Sequence, residues 1–405
     1  MRIKRIQVNN FKSLVDFEIQ FAKFNCIIGL NGAGKSTLLQ FLDFLGQQVR
    51  GKIEEWLTER QWEPEDIKSK LSKKQNIDFV VELVGSDGDG GVSWEASFNP
   101  RMLRCTYEKI VTPGNILEVK DGRLKILNIN LDDGTQTQLR NDEIQFNYQG
   151  SILSQLKDTL FPQDLEHDFG QLPMSLAGFK SYFTRLKSLE LLSPELLRQT
   201  TRDPGDSMGL GGQRLAAYLH DMKSEQREQI KKRLNDAYPE LMELVTRSLQ
   251  FGWKKIEIAE AYRGEEAGLP AKLTTGARHI NDGMLRIIAV LAELQSHYLF
   301  LIFDEIENGI NPELVEFLIH VLTTAQQQIV VTTHSPMILN YLEDEVAKRG
   351  VIYIYKTKEG FTKSIPFFAI PSMAKKLEAM GPGEVFVDTH LTNLQMEIQA
   401  NPKGN

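Results

Sequence analysis

Near the start of the chain, the stretch Gly29-Leu30-Asn31-Gly32-Ala33-Gly34-Lys35-Ser36-Thr37 combines three glycines with a Lys-Ser pair. That combination suits phosphate. Glycines let the main chain wrap closely around an anion, so that N–H groups from Asn31 through Thr37 face it at the start of a helix. Lys35 reaches the β- and γ-phosphates of a nucleoside triphosphate, and the Ser36 hydroxyl joins the shell of Mg²⁺. Far downstream, Leu299-Phe300-Leu301-Ile302-Phe303 is the apolar run that a buried parallel strand needs, and it ends in Asp304-Glu305. Acids at the carboxyl edge of such a sheet face the ligand crevice. Asp304 is expected to hold Mg²⁺ through water, with Glu305 polarising the attacking water as general base. Thirty residues after Asp304, the strand pattern Ile329 to Thr333 delivers His334, placed to contact the γ-phosphate. The expectation is one pocket that binds ATP and Mg²⁺ and hydrolyses the ATP, with Lys35, Glu305 and His334 as the catalytic groups.

Elements able to position these groups are legible on both sides. Ile3, Ile6 and Val8, then Val15, Phe17 and Ile19, then Phe24 to Ile28 read as three strands, the last ending at the glycine loop. The helix after it starts near Lys35 and carries Leu38, Leu39, Leu42 and Leu45 on one face. Residues 52–74 read as a small, polar helical insertion. From Ile77 to Leu131, short alternating strands separated by turns such as Asp87-Gly88-Asp89-Gly90-Gly91 and Asp132-Asp133-Gly134 suggest an antiparallel layer. The carboxylates of those turns are read as turn formers rather than metal ligands. Helical spacing takes over between 150 and 250, at Leu215, Tyr218 and Leu219 and then at Ile230, Leu234, Leu241, Leu244 and Val245. From 284 an α/β pattern resumes, with strands at Tyr298–Phe303, Gln328–Thr333 and Val351–Tyr355 and a helix opened by Asn311-Pro312. The fold expected is therefore α/β, a P-loop NTPase with a mixed sheet core, an antiparallel β layer and an inserted helical lobe. Its parts are 1–150, with the glycine loop and the β layer; 151–275, the helical lobe; 276–395, the second part of the core; and 396–405, a loose tail.

Composition narrows the function further. The 405 residues include 47 Lys and Arg against 54 Asp and Glu, a formal charge of −7, so no global basic field draws the protein onto nucleic acid. Contact with DNA would need a local patch, and Lys68, Lys70, Lys73 and Lys74 are its only obvious start. Cys26 and Cys105 are too few and too far apart for a disulfide scaffold or a zinc site, which suits a reducing compartment. Met1 to Arg5 runs into a strand pattern rather than a signal core, and no apolar run reaches the roughly 18 residues of a membrane span. A soluble, cytoplasmic protein is expected.

Taken together, the motifs resemble the ABC ATPase superfamily, and within it the structural-maintenance-of-chromosomes, RecF and OLD-like group. Asn10-Phe11-Lys12-Ser13-Leu14, Gly29 to Thr37, Asp304-Glu305 followed by Glu307-Asn308-Gly309-Ile310-Asn311-Pro312, and Thr333-His334-Ser335-Pro336 all carry the likeness. The resemblance implies an ABC-type head and a homodimer in which two heads sandwich two ATP molecules, each completed in trans by the partner's signature loop. The matching segment is Ile280-Asn281-Asp282-Gly283-Met284-Leu285-Arg286, which places Asn281, Asp282 and Gly283 on the nucleotide. It departs from the usual Leu-Ser-Gly-Gly-Gln, although an Asn side chain can still donate to a phosphate oxygen. Leu210-Gly211-Gly212-Gln213 spells the signature more closely, yet it lies about 90 residues before the acidic strand, where its glycines punctuate a helix start. In Phe146-Asn147-Tyr148-Gln149-Gly150, Gln149 resembles the glutamine that senses Mg²⁺ at the boundary with the helical lobe.

Other parts of that group are missing. No heptad pattern provides coiled-coil arms. No Glu with an Asp-x-Asp cluster follows His334, as a nuclease of the OLD type requires, and the seven histidines include no close pair for zinc. The function expected is a Mg²⁺-dependent ATPase of the OLD/RecF-like class that regulates a separate effector, a nuclease or toxin, in a bacterial antiviral defence module. The alternative is a RecF-like DNA-binding repair ATPase. A third reading, the cytoplasmic subunit of an ABC transporter, fits the altered signature and the large helical lobe less well.

Overall fold

The computed structural model of the protein describes residues 1–85, 91–145, 147–156, 172–189, 192–202, 207–263 and 270–400. The chain divides into two compact units. One comprises Met1–Lys187, Lys348–Lys375 and Thr389–Asn405, and the other Ser188–Ala347 and Lys376–Asp388.

In the first unit an eight-stranded antiparallel sheet runs in the order Phe17–Gln20, Arg2–Asn9, Ile77–Val84, Val92–Asn99, Arg104–Thr112, Asn115–Lys120, Arg123–Ile129 and Gln136–Glu143. The alternation that predicts it also buries it. Ile77, Phe79, Val81 and Leu83 point inward, as do Val92, Trp94, Ala96 and Phe98 on the next strand. Pairing Phe79 with Ala96 and Val81 with Trp94 keeps both sets on one face, and a slip of one residue would expose them all. The helix Lys35–Arg50 lies on that face. Phe41 meets Phe79 edge-on at 5.9 Å between centroids, and Phe44 meets Phe98 at 5.0 Å. The helix Met174–Thr184 covers the sheet next to it, with Phe179 and Phe183 at 5.7 and 5.0 Å from Trp94. Each such ring pair adds about 0.5–1.5 kcal/mol beyond the area it buries.

The strand Phe24–Ile28 belongs to a second layer of this unit. It pairs in parallel with Val351–Lys356, which pairs antiparallel with Thr362–Pro366. All five residues of Phe24–Ile28 are buried, which accounts for the unbroken apolar run in the sequence. Of the polar insertion at 52–74, only Ile53–Glu59 is α-helical and Pro64–Ile67 a 3₁₀ turn. Arg60 anchors it through a buried ion pair of 2.9 Å with Asp43 of the Lys35 helix. The turn at Asp132–Gly134 forms as expected, with Asp133 accepting from the Thr135 N–H at 2.9 Å. The Asp87-Gly88-Asp89 turn lies outside the described residues. Residues 396–400, expected in a loose tail, belong to the helix Leu391–Ala400.

One carboxyl in this core titrates far from its ordinary range. Glu108, fully buried on the strand Arg104–Thr112, accepts from the Ser151 hydroxyl, from Trp94 Nε1 at 2.9 Å and from the Ile152 N–H at 3.0 Å. Burial outweighs these three donors and pushes its pKa up to about 7 from 4.5. In the unfolded chain the proton leaves near 4.5, so between the two values only the folded chain holds it. The resulting stability is fully present below 4.5 and is lost as pH rises through 7, an amplitude on the order of 3 kcal/mol. Melting temperatures recorded from pH 5 to pH 8 should therefore fall with pH, and Glu108→Gln should flatten that fall while lowering stability throughout. A variant whose pH profile parallels the parent's would refute the assignment.

The second unit holds the strand Phe300–Phe303 parallel to Gln328–Thr332, joined by the helix Pro312–Thr323 and preceded by the helix Asp282–Leu294. Leu215–Asp221 and Ser224–Ala237 are helices, as their spacing predicts. The helical reading fails beyond them. Leu241–Ser248, Lys254–Arg263 and Pro270–Gly276 form a three-stranded antiparallel sheet, so the lobe at 151–275 is helical only in part. Leu241, Leu244 and Val245 fit a helical stripe by spacing, but Pro239 ends the helix before them and the alternating Ile256 and Ile258 supply a strand to pair with.

Candidate functional site

The glycine loop lies in the first unit, between the strand Phe24–Ile28 and the helix Lys35–Arg50. Two close approaches fix its path. Gly29 passes so near Val351–Lys356 that a Cβ there would overlap the Ile354 carbonyl oxygen. Gly34 caps the helix with φ +112°, where a side chain would overlap the Thr362 hydroxyl. Thr362 fastens the loop from the other side, donating to the Ala33 carbonyl at 2.9 Å and contacting the Ser13 hydroxyl at 2.7 Å. Lys35 is 7% exposed, and its ammonium donates to the Gly29 and Leu30 carbonyls at 2.9 and 3.3 Å. A buried cation that donates to loop carbonyls, beside exposed Asn31, Gly32 and Ser36, fits an anionic phosphate chain as a stronger acceptor.

The acids lie in the second unit. Asp304 and Glu305 follow the buried strand Phe300–Phe303, and the Thr332 hydroxyl of the neighbouring strand ties them together. It donates to Asp304 Oδ1 and accepts from the Glu305 N–H at 2.8 Å. Glu305 adopts φ +44°, a left-handed conformation that a non-glycine residue holds at a cost of about 1–3 kcal/mol. Its carboxylate accepts from Asn308 Nδ2 at 3.3 Å. Glu307 carries the same loop across to the next strand end, where Oε1 accepts from the N–H groups of His334 and Ser335 at 3.0 and 3.1 Å. The unit thus brings together Asp304, Glu305 and the exposed His334, with Glu307 shaping the turn that presents the imidazole.

Comparison with known proteins agrees with this chemistry. Residues 1–165 match the family described as "AAA ATPase domain", and residues 270–340 match the one described as "AAA domain, putative AbiEii toxin, Type IV TA system". No curated protein matches the chain. Among solved structures, the structural-maintenance-of-chromosomes head bound to the C-terminal winged-helix domain of ScpA is 13% identical, with a TM-score of 0.51 over 90% of this chain and 97% of that one. The corresponding head domain from Thermotoga maritima is 12% identical, with a TM-score of 0.45 over 90% and 99%. The chain has the fold of an ABC-type ATPase head. It is an ATP hydrolase with the P-loop NTPase fold.

Within the head, the segment 280–286 opens the helix Asp282–Leu294, whose N-cap is Asn281. The Asn281 carbonyl oxygen accepts from the Met284 N–H at 2.7 Å, which leaves the exposed side-chain amide N–H₂ as a donor. Asp282 pairs with Arg198, which also donates to the Ile280 carbonyl at 2.7 Å. The cap explains why Asn replaces Ser here, since both residues cap well and both can donate. At Leu210-Gly211-Gly212-Gln213 the Gln213 side chain turns back to accept from the Gly211 N–H at 3.2 Å, and the helix Leu215–Asp221 follows. That segment starts a helix, as its glycines suggest.

Gln149 is placed differently from its expected role. Its side chain exchanges two hydrogen bonds with Glu54, accepting from the Glu54 N–H at 2.9 Å and donating to the carboxylate at 2.8 Å. Next to it the Ser151 N–H donates to the Gln48 carbonyl at 2.9 Å, so this segment docks on the last turn of the Lys35 helix. That helix has 16 residues, which puts Gln149 roughly 24 Å of helix from the phosphate loop at its other end. Within the unit Gln149 closes a helix terminus instead of reaching a metal beside Ser36. Its neighbour Phe146 lies outside the described residues.

Reading the sequence missed Thr332 and Thr362 as working residues, because a threonine in a strand is ordinary and its partners are distant in the chain. The lysines expected to start a basic patch are partly neutralised, Lys68 by Glu65 at 2.9 Å and Lys74 by Asp78 at 3.7 Å. Among the described residues no helix is long and apolar enough to cross a membrane.

Proposed function

We propose that this head hydrolyses Mg²⁺·ATP as a homodimer, and that the cycle gates a separate effector, a nuclease or toxin, in a bacterial antiviral defence module of the OLD-like kind. The observation that carries the catalytic part is the Thr332 hydroxyl, which holds Asp304 and the Glu305 backbone in one fixed array. Mg²⁺, when bound, would supply electrophilic charge to the phosphate oxygens, and in this reading Ser36 and Asp304 would hold it. Lys35 exchanges its loop carbonyls for phosphate oxygens and neutralises charge on the group being transferred. Glu305 orients the attacking water and accepts its proton. His334 donates to the γ-phosphate and so reads whether hydrolysis has taken place. In the dimer, the Asn281 amide and the N–H groups at Asp282 and Gly283 meet the partner's nucleotide.

The effector is inferred from the family matched at 270–340, whose description names a toxin system, and the reading places this head in the cytoplasm. Purification of the tagged full chain from its host, with ATP and without it, is expected to bring down one nuclease or toxin in only one of the two states. A head that elutes alone in both states, and whose turnover rises on adding duplex DNA, would favour the RecF-like alternative.

A further inference from the structure

Arg286 is the least expected charge in the second unit. It lies one turn into the helix Asp282–Leu294, is 7% exposed, and has a fully buried Nε without a hydrogen-bond partner. Burial pulls its pKa down, while Asp282 and Glu305 pull it up. Burying a guanidinium with an unpartnered Nε is costly, and an apolar residue of similar volume at such a site is often neutral or stabilising. What surrounds it suggests why a charge is kept there.

The guanidinium packs on the loop that follows the acids. A Cβ built on Gly309 would lie 3.4 Å from Arg286 Nε, an ordinary van der Waals contact, so the loop packs directly beside the guanidinium, at a backbone φ of +71° that favours glycine. One turn earlier, a Cβ on Gly283 would lie 3.2 Å from the Gly309 carbonyl oxygen. The helix start at Asn281–Gly283 and the loop Glu305–Ile310 therefore touch at two places, and Arg286 is the charged one. Arg286, Asp304 and Glu305 also line one small cavity, closed on its other sides by Leu189, Leu192 and Val290. Glu305 also draws the guanidinium electrostatically, raising its pKa against the effect of burial.

We propose that Arg286 is a positioning residue for hydrolysis: packed against Gly309, it holds the loop Glu305–Ile310 in register with the helix start at Asn281 and keeps the Glu305 carboxylate aligned with the attacking water. The strained backbone at Glu305 supports this, because a left-handed glutamate relaxes unless its surroundings hold it. The proposal rests on Glu305 being the general base, and the test separates the two ideas.

Full-length Arg286→Met, Arg286→Lys and Glu305→Gln, and the Met–Gln double variant, would be compared for melting temperature, KM for ATP and kcat in Mg²⁺. The Met variant is expected to melt no lower than the parent and to keep KM within about threefold, while kcat falls by about thirtyfold or more. The Lys variant should recover part of that loss. The double variant should be no slower than Glu305→Gln alone, because two residues that act through one step do not add. A folded Met variant with parental kcat overturns the proposal, as does one that loses KM and kcat in proportion. If Glu305→Gln is itself fully active, the base assignment has failed instead. Should the Met variant not fold, Arg286→Lys carries the same criterion, since it keeps the charge and loses the planar fork.

Discussion

A Glu305→Gln head is expected to bind ATP as tightly as the parent and to hydrolyse it at least about a hundredfold more slowly, the usual contribution of a general base. The substitution is nearly isosteric. It keeps the carbonyl oxygen that accepts from Asn308 and leaves the backbone N–H on Thr332, so the strained turn at φ +44° stays as it is. What it removes is a proton acceptor. Because chemistry slows while binding does not, the ATP-bound dimer should accumulate and appear by size-exclusion chromatography with ATP and Mg²⁺ as a species of twice the mass. Single-turnover phosphate release measures the chemical step directly. A Gln variant whose release rate stays within about threefold of the parent would show that another group takes the proton. Glu305→Ala is the harsher control, since it also drops the Asn308 contact, and it should lose stability that the Gln variant keeps.

What could be read from the sequence follows the range of the interactions involved. The strand Phe24–Ile28, the glycine loop and the helix after it are local in sequence, and each carries its own signal in apolar run, glycine spacing and periodicity. The same holds for Phe300–Phe303 with its terminal acids and for Gln328–Thr332 with His334. The groups that lock those motifs in place are different. Thr362 reaches the phosphate loop from 329 residues away and Thr332 reaches Asp304 from 28 away, and neither has a pattern of its own. Arg286 stands within the signature segment, but the burial of its unpartnered Nε shows only in three dimensions. The strands at 241–276 are not legible from spacing, because an apolar stripe with both periods present is settled by pairing rather than propensity. Gln149 carries only a two-letter likeness to a metal-sensing glutamine. The contacts that decide its role, Glu54 and the end of the Lys35 helix, come from packing and not from spacing.

Lys35→Ala should produce the other large loss, and one that falls on binding as well as chemistry. In the parent Lys35 is 7% exposed and its ammonium rests on the Gly29 and Leu30 carbonyls, so it needs little movement to meet a phosphate oxygen in the same loop. A hydrogen bond from a charged donor to such an oxygen is worth about 1.5–3 kcal/mol. Losing one weakens ATP binding by about ten- to a hundredfold. The effect on kcat should be larger, about 10²- to 10³-fold, because charge shifts on the transferring phosphoryl group are stabilised by groups already in place. Folding should change little. The variant gives up the contacts to the Gly29 and Leu30 carbonyls, but it no longer buries a cation, and these terms oppose each other. Titration with ATP, ADP and AMP separates local from general damage: a lysine on the β- and γ-phosphates should matter most for ATP and hardly at all for AMP. Equal weakening for all three nucleotides would mean that the loop had collapsed, and parental affinity for ATP would mean that the buried ammonium serves only to hold the loop together.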